Sequence, residues 1–414
     1  MATAQDKAKL GLLPVSAPPT ERLVSIDALR GFDMFWIIGG DALFRALARA
    51  TQGSLPDGVQ RPLNYFANQL EHVEWEGFHF YDLIFPLFLF VVGVVLPFSL
   101  GKLYEHEVQS HKIYGRILRR TLLLFLLGLI YNGLFNLNWI VTEPHFHIDL
   151  SKIRIAGVLQ RIAICYFFAA IIMMNFSIRT QVMLSVVLLV GYWALLAFVP
   201  VSGATEPYYS MKDNLAAYVD QHWLPGLHNP NYYKYGDNEG LLSTIPAIVT
   251  VLMGAMAGQW LRAHVRPWEK VLGMLVAGAL CLLAGLLWGH SFSFLHNFMP
   301  DSRIWFPIIK NIWTSSFVLV AGGCSLILLG VFYAVIDVLG LRWLGFVFVV
   351  IGANAITIYV AKEIIPFQRI AEFFLGGIAK HAPQYSRVIL IAGALVLEWL
   401  FLLYLYRRRI FLRV

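Results

Sequence analysis

The sequence predicts an all-α polytopic membrane protein of about ten transmembrane helices, and two observations carry that reading. The first is composition. Of 414 residues, 58% are hydrophobic and 14% charged, with a mean hydropathy of +0.65, too apolar for a soluble globule. The second is distribution. Apolar runs recur at about 29–48, 81–100, 118–137, 155–175, 181–200, 241–261, 270–289, 312–336, 343–363 and 386–406, each suited to a hydrocarbon core of about 30 Å. Between the last two, residues 367–378 are apolar on one side and short, which predicts an interfacial or re-entrant helix.

The ends and loops set domain organisation and orientation. Residues 1–20 are polar and Pro-containing without an apolar centre, so they read as a disordered cytoplasmic tail and not as a cleavable signal. Residues 21–414 read as one transmembrane domain. If the N-terminus is cytoplasmic, the inner segments include the basic run from Lys102 to Arg120 and the C-terminal Arg407, Arg408, Arg409 and Arg413. Lys and Arg are then about twice as dense inside as outside, which predicts cytoplasmic N- and C-termini. The formal charge of +7 belongs to this bias and gives no argument for nucleic acid. Cys165, Cys281 and Cys324 all fall in apolar runs and read as packing residues.

Residues 71–86 are the most informative stretch: Glu71, His72, Glu74, Trp75, Glu76, His79 and Asp82 crowd the outer mouth of the second span. Acids at a span's rim are usually solvated flank. An imidazole among carboxylates at the point where lipid meets water also suits proton transfer, and His72 is the candidate reactive centre. The outer loop at about 201–240 is rich in Tyr and Asn and carries Trp223. It reads either as interfacial surface or as a lid whose rings stack on a sugar.

Ionisable groups recur at membrane depth. Asp33 and Asp41 share the first span, about 80° and about 12 Å apart on a helix. An ion pair with Arg30, Arg161 or Lys310 would satisfy Asp33. Asp41, nearer the outer end, is expected to orient His72 by bonding one ring nitrogen. Arg154 and Arg161 lie on one face of the fourth span: Arg154 is expected to snorkel outward, and Arg161 to pair with a buried acid or face a polar cavity. Asp237 and Glu239 precede the sixth span, Lys310 and Asn311 the eighth, and Asn354, Tyr359, Lys362 and Glu363 occupy the ninth. Together they predict a polar interior. No Walker A loop, GxGxxG, HExxH or CxxC occurs. His145 and His147 have no companions that complete a metal set and read as surface histidines.

Three motifs in order then carry a resemblance: Arg22-x-x-Ser25-x-Asp27-x-x-Arg30-Gly31, His72-x-x-Trp75-x-Gly77 with Asp82-x-x-Phe85-Pro86, and Arg154-x-x-Gly157-x-x-Gln160-Arg161. With Asp237-x-Glu239-Gly240, Lys310-Asn311-x-Trp313 and Asn354 before Tyr359, they resemble the heparan-α-glucosaminide N-acetyltransferase family along nearly the whole chain after residue 20. The resemblance implies transfer of acetyl from acetyl-CoA to a terminal glucosamine amine across a membrane, with no metal and His72 at the active-site histidine position. Asp41 stands where relatives carry an asparagine. The chain looks like a short bacterial relative, implying the bacterial inner membrane, with a homodimer as a further expectation. Arg119, Arg120 and Arg262 are expected to hold the CoA phosphates, with Arg161, Lys310 and Asn311 also assigned to the cofactor. Glu74, Trp75, Asp237, Glu239, Asn354, Tyr359 and Glu363 are assigned to the acceptor. Two routes for the acetyl group are open: transient acetylation of His72, or a ternary complex with the pantetheine arm threaded part-way through the membrane. The competing reading is a transporter of N-acetylglucosamine or a related amino sugar, in which His72 couples protons or gates.

Overall fold

The computed structural model describes residues 23–105, 109–134, 154–201, 203, 208–224, 235–289 and 304–411. The N-terminal tail, His145, His147, Tyr232 and Tyr233 lie outside the described residues. Those described are helical, with a single isolated antiparallel bridge and no sheet.

The first span is α1 (Val24–Phe35) and α2 (Asp41–Ala50), joined by a π turn at Trp36–Gly40. Gly39 has φ 139°, a conformation open to glycine, so the helix breaks there at mid-span. A loop helix α3 (Asp57–Gln69) leads through residues 70–79 and a 3₁₀ turn (Phe80–Leu83) into α4 (Ile84–Glu105). Next come α5 (Ser110–Leu129), continued by a π turn to Leu134, then α6 (Val158–Asn175) and α7 (Ile178–Phe198). The segment that follows contains α8 (Leu215–Trp223), capped by Asn214. After it run α9 (Thr244–Arg262), α10 (Pro267–Trp288) and α11 (Ser315–Phe332). A bent pair follows, α12 (Arg342–Ala353) and α13 (Ala355–Ile364), turning 59° at Asn354. The chain closes with α14 (Phe367–His381) and α15 (Ser386–Arg407).

Helices occupy all ten predicted positions. Seven are long and apolar enough to cross a membrane by length and composition, and the bent pair makes an eighth. The two that miss that standard are α1–α2, with Asp27, Arg30, Asp33, Asp41, Arg45 and Arg49, and α5, whose first half carries Lys112, Arg116, Arg119 and Arg120. The protein is a multi-pass membrane protein. The predicted segment at 367–378 is α14, which lies along α15 with Ala371 buried and Phe373, Phe374 and Ile378 exposed.

Close helix contacts build the core, because lipid supplies no hydrophobic drive between helices. α1 meets α12 where a Cβ on Gly31 would overlap the Phe348 carbonyl, and one on Gly352 the Asp27 carbonyl. α4 meets α9 through Gly93 and Gly254 in the same way. Around these seams pack Leu29, Leu87, Phe90, Val251 and Phe317, all buried. The polar loop 71–83 sits on top of this core at one end.

Candidate active site

Local backbone geometry delivers His72 to its partners. Gly77, at φ 132°, turns the 71–79 loop, and its N–H donates to the Ile308 carbonyl at 2.9 Å beside the Glu76–Ile309 bridge. The bridged strand-like segment ends in a tight turn. Trp313 N–H donates to Lys310 O at 2.9 Å, Thr314 Oγ1 accepts from Ile309 N–H at 3.0 Å, and Trp313 itself adopts φ 52°. That turn projects Lys310 at His72, although the two are far apart in sequence.

Asp82 is the centre of the cluster. Its side chain is 1% exposed, and it accepts from the backbone N–H of His79 (3.0 Å) and Val73 (3.3 Å). With Nδ1 protonated, His72 donates to Asp82 Oδ1 at 2.8 Å. Lys310 Nζ donates to the same oxygen at 3.3 Å and lies 2.8 Å from Nδ1 and 3.2 Å from Nε2 of the imidazole. The ring packs 4.6 Å from that of Tyr81, and about half of the His72 side chain remains exposed. Burial pushes the Lys310 ammonium below its ordinary range, with Asp82 and the more distant Glu239 pulling the other way. A carboxylate thus holds one ring nitrogen of a half-exposed imidazole, with the Lys310 ammonium beside the ring.

The orienting carboxylate is therefore Asp82, not Asp41. Asp41 pairs closely with Arg45 one helical turn on and also bonds the Tyr81 side chain. The sequence ranked Asp41 by depth along a straight helix, but the break at Gly39 redirects it. Asp82 carried a readable signal, standing ten residues after His72 at the head of an apolar run.

A second cluster lies nearby. Arg154 Nε donates to Asp237 Oδ2 at 2.9 Å, and its NH2 meets both Asp237 Oδ1 and Glu239 Oε2. Arg154 thus turns inward and does not snorkel, because two acids compensate its desolvation. Burial pushes the Glu239 carboxyl up, opposed by Arg154 and Arg161. Asp220 from α8 accepts N–H bonds from Leu241 (2.9 Å) and Asp237 (3.3 Å), yet burial raises it to about 6. Gly240 lets the backbone approach so closely that a Cβ there would overlap the Asp220 carboxylate. Arg161 is fully buried. It donates to Gly240 O at 3.2 Å and to Ser243 Oγ, and stacks 4.9 Å over Trp313. It finds no acid of its own. Asp33 likewise lacks the expected ion pair: it is fully buried, with no hydrogen-bond partner among the described residues.

The remaining candidates divide by position. Tyr359 stacks on Tyr131 at 4.7 Å, and Tyr131 OH donates to Glu363 Oε1 at 3.2 Å. Trp75 Nε1 donates to Tyr209 O at 2.9 Å, which ties the loop before α8 to the 71–79 loop. Glu74 is exposed, and its carbonyl accepts from Asn311 Nδ2 at 3.3 Å. Lys310 and Asn311 thus lie at the His72 end, and Arg161 stacks on the neighbouring Trp313. Asn354 belongs to the other end, where it donates to Ile410 O at 3.1 Å and lines a cavity of about 80 Å³ with Arg30 and Arg120. Arg120 stacks 4.7 Å from the Tyr166 ring and Arg119 is exposed. Arg262 donates to Pro97 O within the fold, away from that cavity. A narrow apolar pocket of about 30 Å³ shares Phe88, Leu159, Ile162 and Ile356 with this cavity and reaches Tyr359. One seam thus runs from Arg30 and Arg120 to Tyr359.

Comparison with known proteins gives two relatives. The heparan-alpha-glucosaminide N-acetyltransferases of Homo sapiens and Mus musculus are each 27% identical to this chain over 394 residues, covering 83% of it. The chain spans just over half, 56%, of the length of these curated relatives. No protein-family model matches. The chain is distantly similar to the heparan-alpha-glucosaminide N-acetyltransferases.

Proposed function

We propose that this protein is a membrane N-acetyltransferase that moves the acetyl group of cytoplasmic acetyl-CoA to the amine of a glucosamine-type sugar at the outer face. The observation that carries the reading is the His72–Asp82–Lys310 cluster, supported by the distant relationship to enzymes named for that transfer. The neutral amine nitrogen attacks the thioester carbonyl, and His72 Nε2 takes the proton it sheds. The C–S bond then breaks, and the proton passes to the departing thiolate, leaving an amide and free CoA thiol. Asp82 holds the imidazole in the tautomer with Nε2 free and stabilises the imidazolium. Lys310, bonded to the same Asp82 oxygen as His72, holds that carboxylate in place.

The acetyl group must meet the acceptor from the opposite side. The seam from Arg30 and Arg120 to Tyr359 supports a ternary complex, with the phosphates held at the basic end and the pantetheine arm between α4, α6 and α13. At about 80 and 30 Å³ its pockets are narrower than that arm requires, so α13 must part from α6 for entry. The orientation with both termini cytoplasmic places His72 outside; in a bacterium this is the inner membrane. Labelled acetyl-CoA and glucosamine, given to the purified protein beside His72→Ala, test the proposal. Label in the sugar, lost in a variant that still binds acetyl-CoA, is the expected result. Absence of transfer to any amino sugar that the protein binds would overturn it. The transporter reading draws on one observation, the two interrupted spans at Gly39 and Asn354. Glucosamine accumulation in CoA-free vesicles would favour it.

A further inference from the structure

A cavity of about 460 Å³ lies where α1–α2 breaks, between α13, α14 and α15. Its volume falls in the range of small-molecule sites, ~300–1,000 Å³. Asp41, Tyr81, Lys362, Glu363, Arg369 and Glu398 supply its polar wall, and Ile37, Ile365 and Leu395 are among its apolar wall. Tyr81 connects it to the reactive centre, because the same ring packs on His72.

Glu398 is the feature left unexplained. It sits in the middle of α15, an otherwise apolar helix, and is 3% exposed. Its Oε2 is buried without a hydrogen-bond partner among the described residues. Lys362 is the cation close enough to act on it, but its Nζ donates to Ile37 O at 3.1 Å, a carbonyl of the broken turn. Glu398 thus lines the cavity while one of its buried oxygens lacks a donor among the described residues.

We propose that this cavity is the subsite for the body of the acceptor: an uncharged, hydroxyl-rich ring whose hydroxyls donate to Glu398 and accept from Lys362. The inference rests on the acetyltransferase reading and specifies its substrate. Charge balance selects the class. Asp41, Glu363 and Glu398 are matched by Lys362, Arg369 and the Arg45 paired to Asp41, so no net field favours a phosphate or sulfate. Apolar walls beside hydrogen-bonding groups suit a pyranose, with its C–H faces and hydroxyl rim. The reacting amine then points past Tyr81 toward His72.

The test is equilibrium binding of tritiated glucosamine to the full chain in detergent without acetyl-CoA, using wild type, His72→Ala, Glu398→Leu and Lys362→Met. Michaelis constants are measured on the same proteins, and thermal unfolding verifies their integrity. Expected is at least tenfold weaker glucosamine binding in Glu398→Leu and Lys362→Met, with binding retained in His72→Ala. KM should rise for the sugar and stay unchanged for acetyl-CoA, and Glu398→Gln, which keeps an acceptor oxygen, should recover part of the loss. Should Glu398→Leu fail to fold, Lys362→Met decides. Unchanged binding and KM in the folded variants overturn the subsite while leaving the transferase reading intact if wild type acetylates glucosamine. Binding lost in the variants, with no acetyl transfer by wild type, keeps the subsite and removes the transferase reading.

Discussion

Two groups of charged residues lie at the same end of this bundle, and they differ in what they leave free. Around Arg154 and Arg161, nearly everything is buried and turned inward: the guanidinium of Arg154 meets Asp237 and Glu239, while Arg161 lies against Ser243, Gly240 and Trp313. Around Asp82, the carboxylate is equally buried and equally well bonded, but it holds an imidazole that is about half exposed. In the first group, the Arg154 ion pairs join the residues leading into α6 to those leading into α9. The second keeps one nitrogen available. Charge at membrane depth therefore does not by itself mark a reactive site; a rigidly held group with an accessible valence does.

Paired substitutions test that contrast most strongly. His72→Ala should lower acetyl transfer by about 10²–10⁴-fold, the usual worth of a general base, without altering thermal unfolding or acetyl-CoA binding. Arg154→Met should do the reverse. It strands Asp237 and Glu239 as buried acids, so it should destabilise by about 3–5 kcal/mol, seen as lost yield or early unfolding in detergent. If Arg154→Met leaves a stable protein that is merely inactive, the division between the groups is wrong.

Asp82→Asn against Asp41→Asn comes next. The first should reduce the rate by on the order of 10²-fold through loss of the imidazole's orientation. The second weakens the pairing of Asp41 with Arg45 and its bond to Tyr81, neither of which touches the imidazole, and should change the rate less than Asp82→Asn does. Equal losses would return Asp41 to the role its sequence position implied.

Smaller effects sharpen the electrostatics. Lys310→Met removes the ammonium that bonds Asp82 beside His72 and should lower acetyl transfer by less than Asp82→Asn does; an equal or larger loss would give Lys310 a direct part in the reaction. Asp220 should leave a signature in stability. Its carboxyl is pushed up to about 6 in the fold, so between about pH 4 and 6 the unfolded chain binds fewer protons than the native one. Its contribution is greatest below about pH 4 and is lost as pH rises through 6. Asp220→Asn should flatten that part of the curve of unfolding temperature against pH; an unchanged slope would refute the assignment.

Much of this was legible in the residues alone. All ten predicted helical positions are filled, because a run of about 20 apolar residues has few other ways to satisfy its backbone in lipid. His72 was legible as a candidate because an imidazole beside several acids at a span's mouth is chemically unusual. Partnerships were less legible. Asp41 looked like the orienting acid on an ideal helix, and Arg154 looked like a snorkelling cation, yet one is redirected by a broken turn and the other by two acids more than eighty residues on. Lys310 read as a cofactor residue, and its contact with His72, 238 positions away, is not visible in any window of sequence.

The sequence by itself determined the all-α membrane-spanning architecture and the position of a histidine at its rim. Hydropathy and helical reach are local properties, so they survive without knowledge of any contact. Only the tertiary structure decided that Asp82 and Lys310 meet His72, that Asn354 and Arg120 share the opposite end, and that Glu398 lines a cavity beside Tyr81. Those facts depend on one positive-φ turn at Gly77, a bridge between segments more than two hundred residues apart, and a helix broken at Gly39. A long-range contact is fixed by how whole helices pack, and no single window of sequence contains that information.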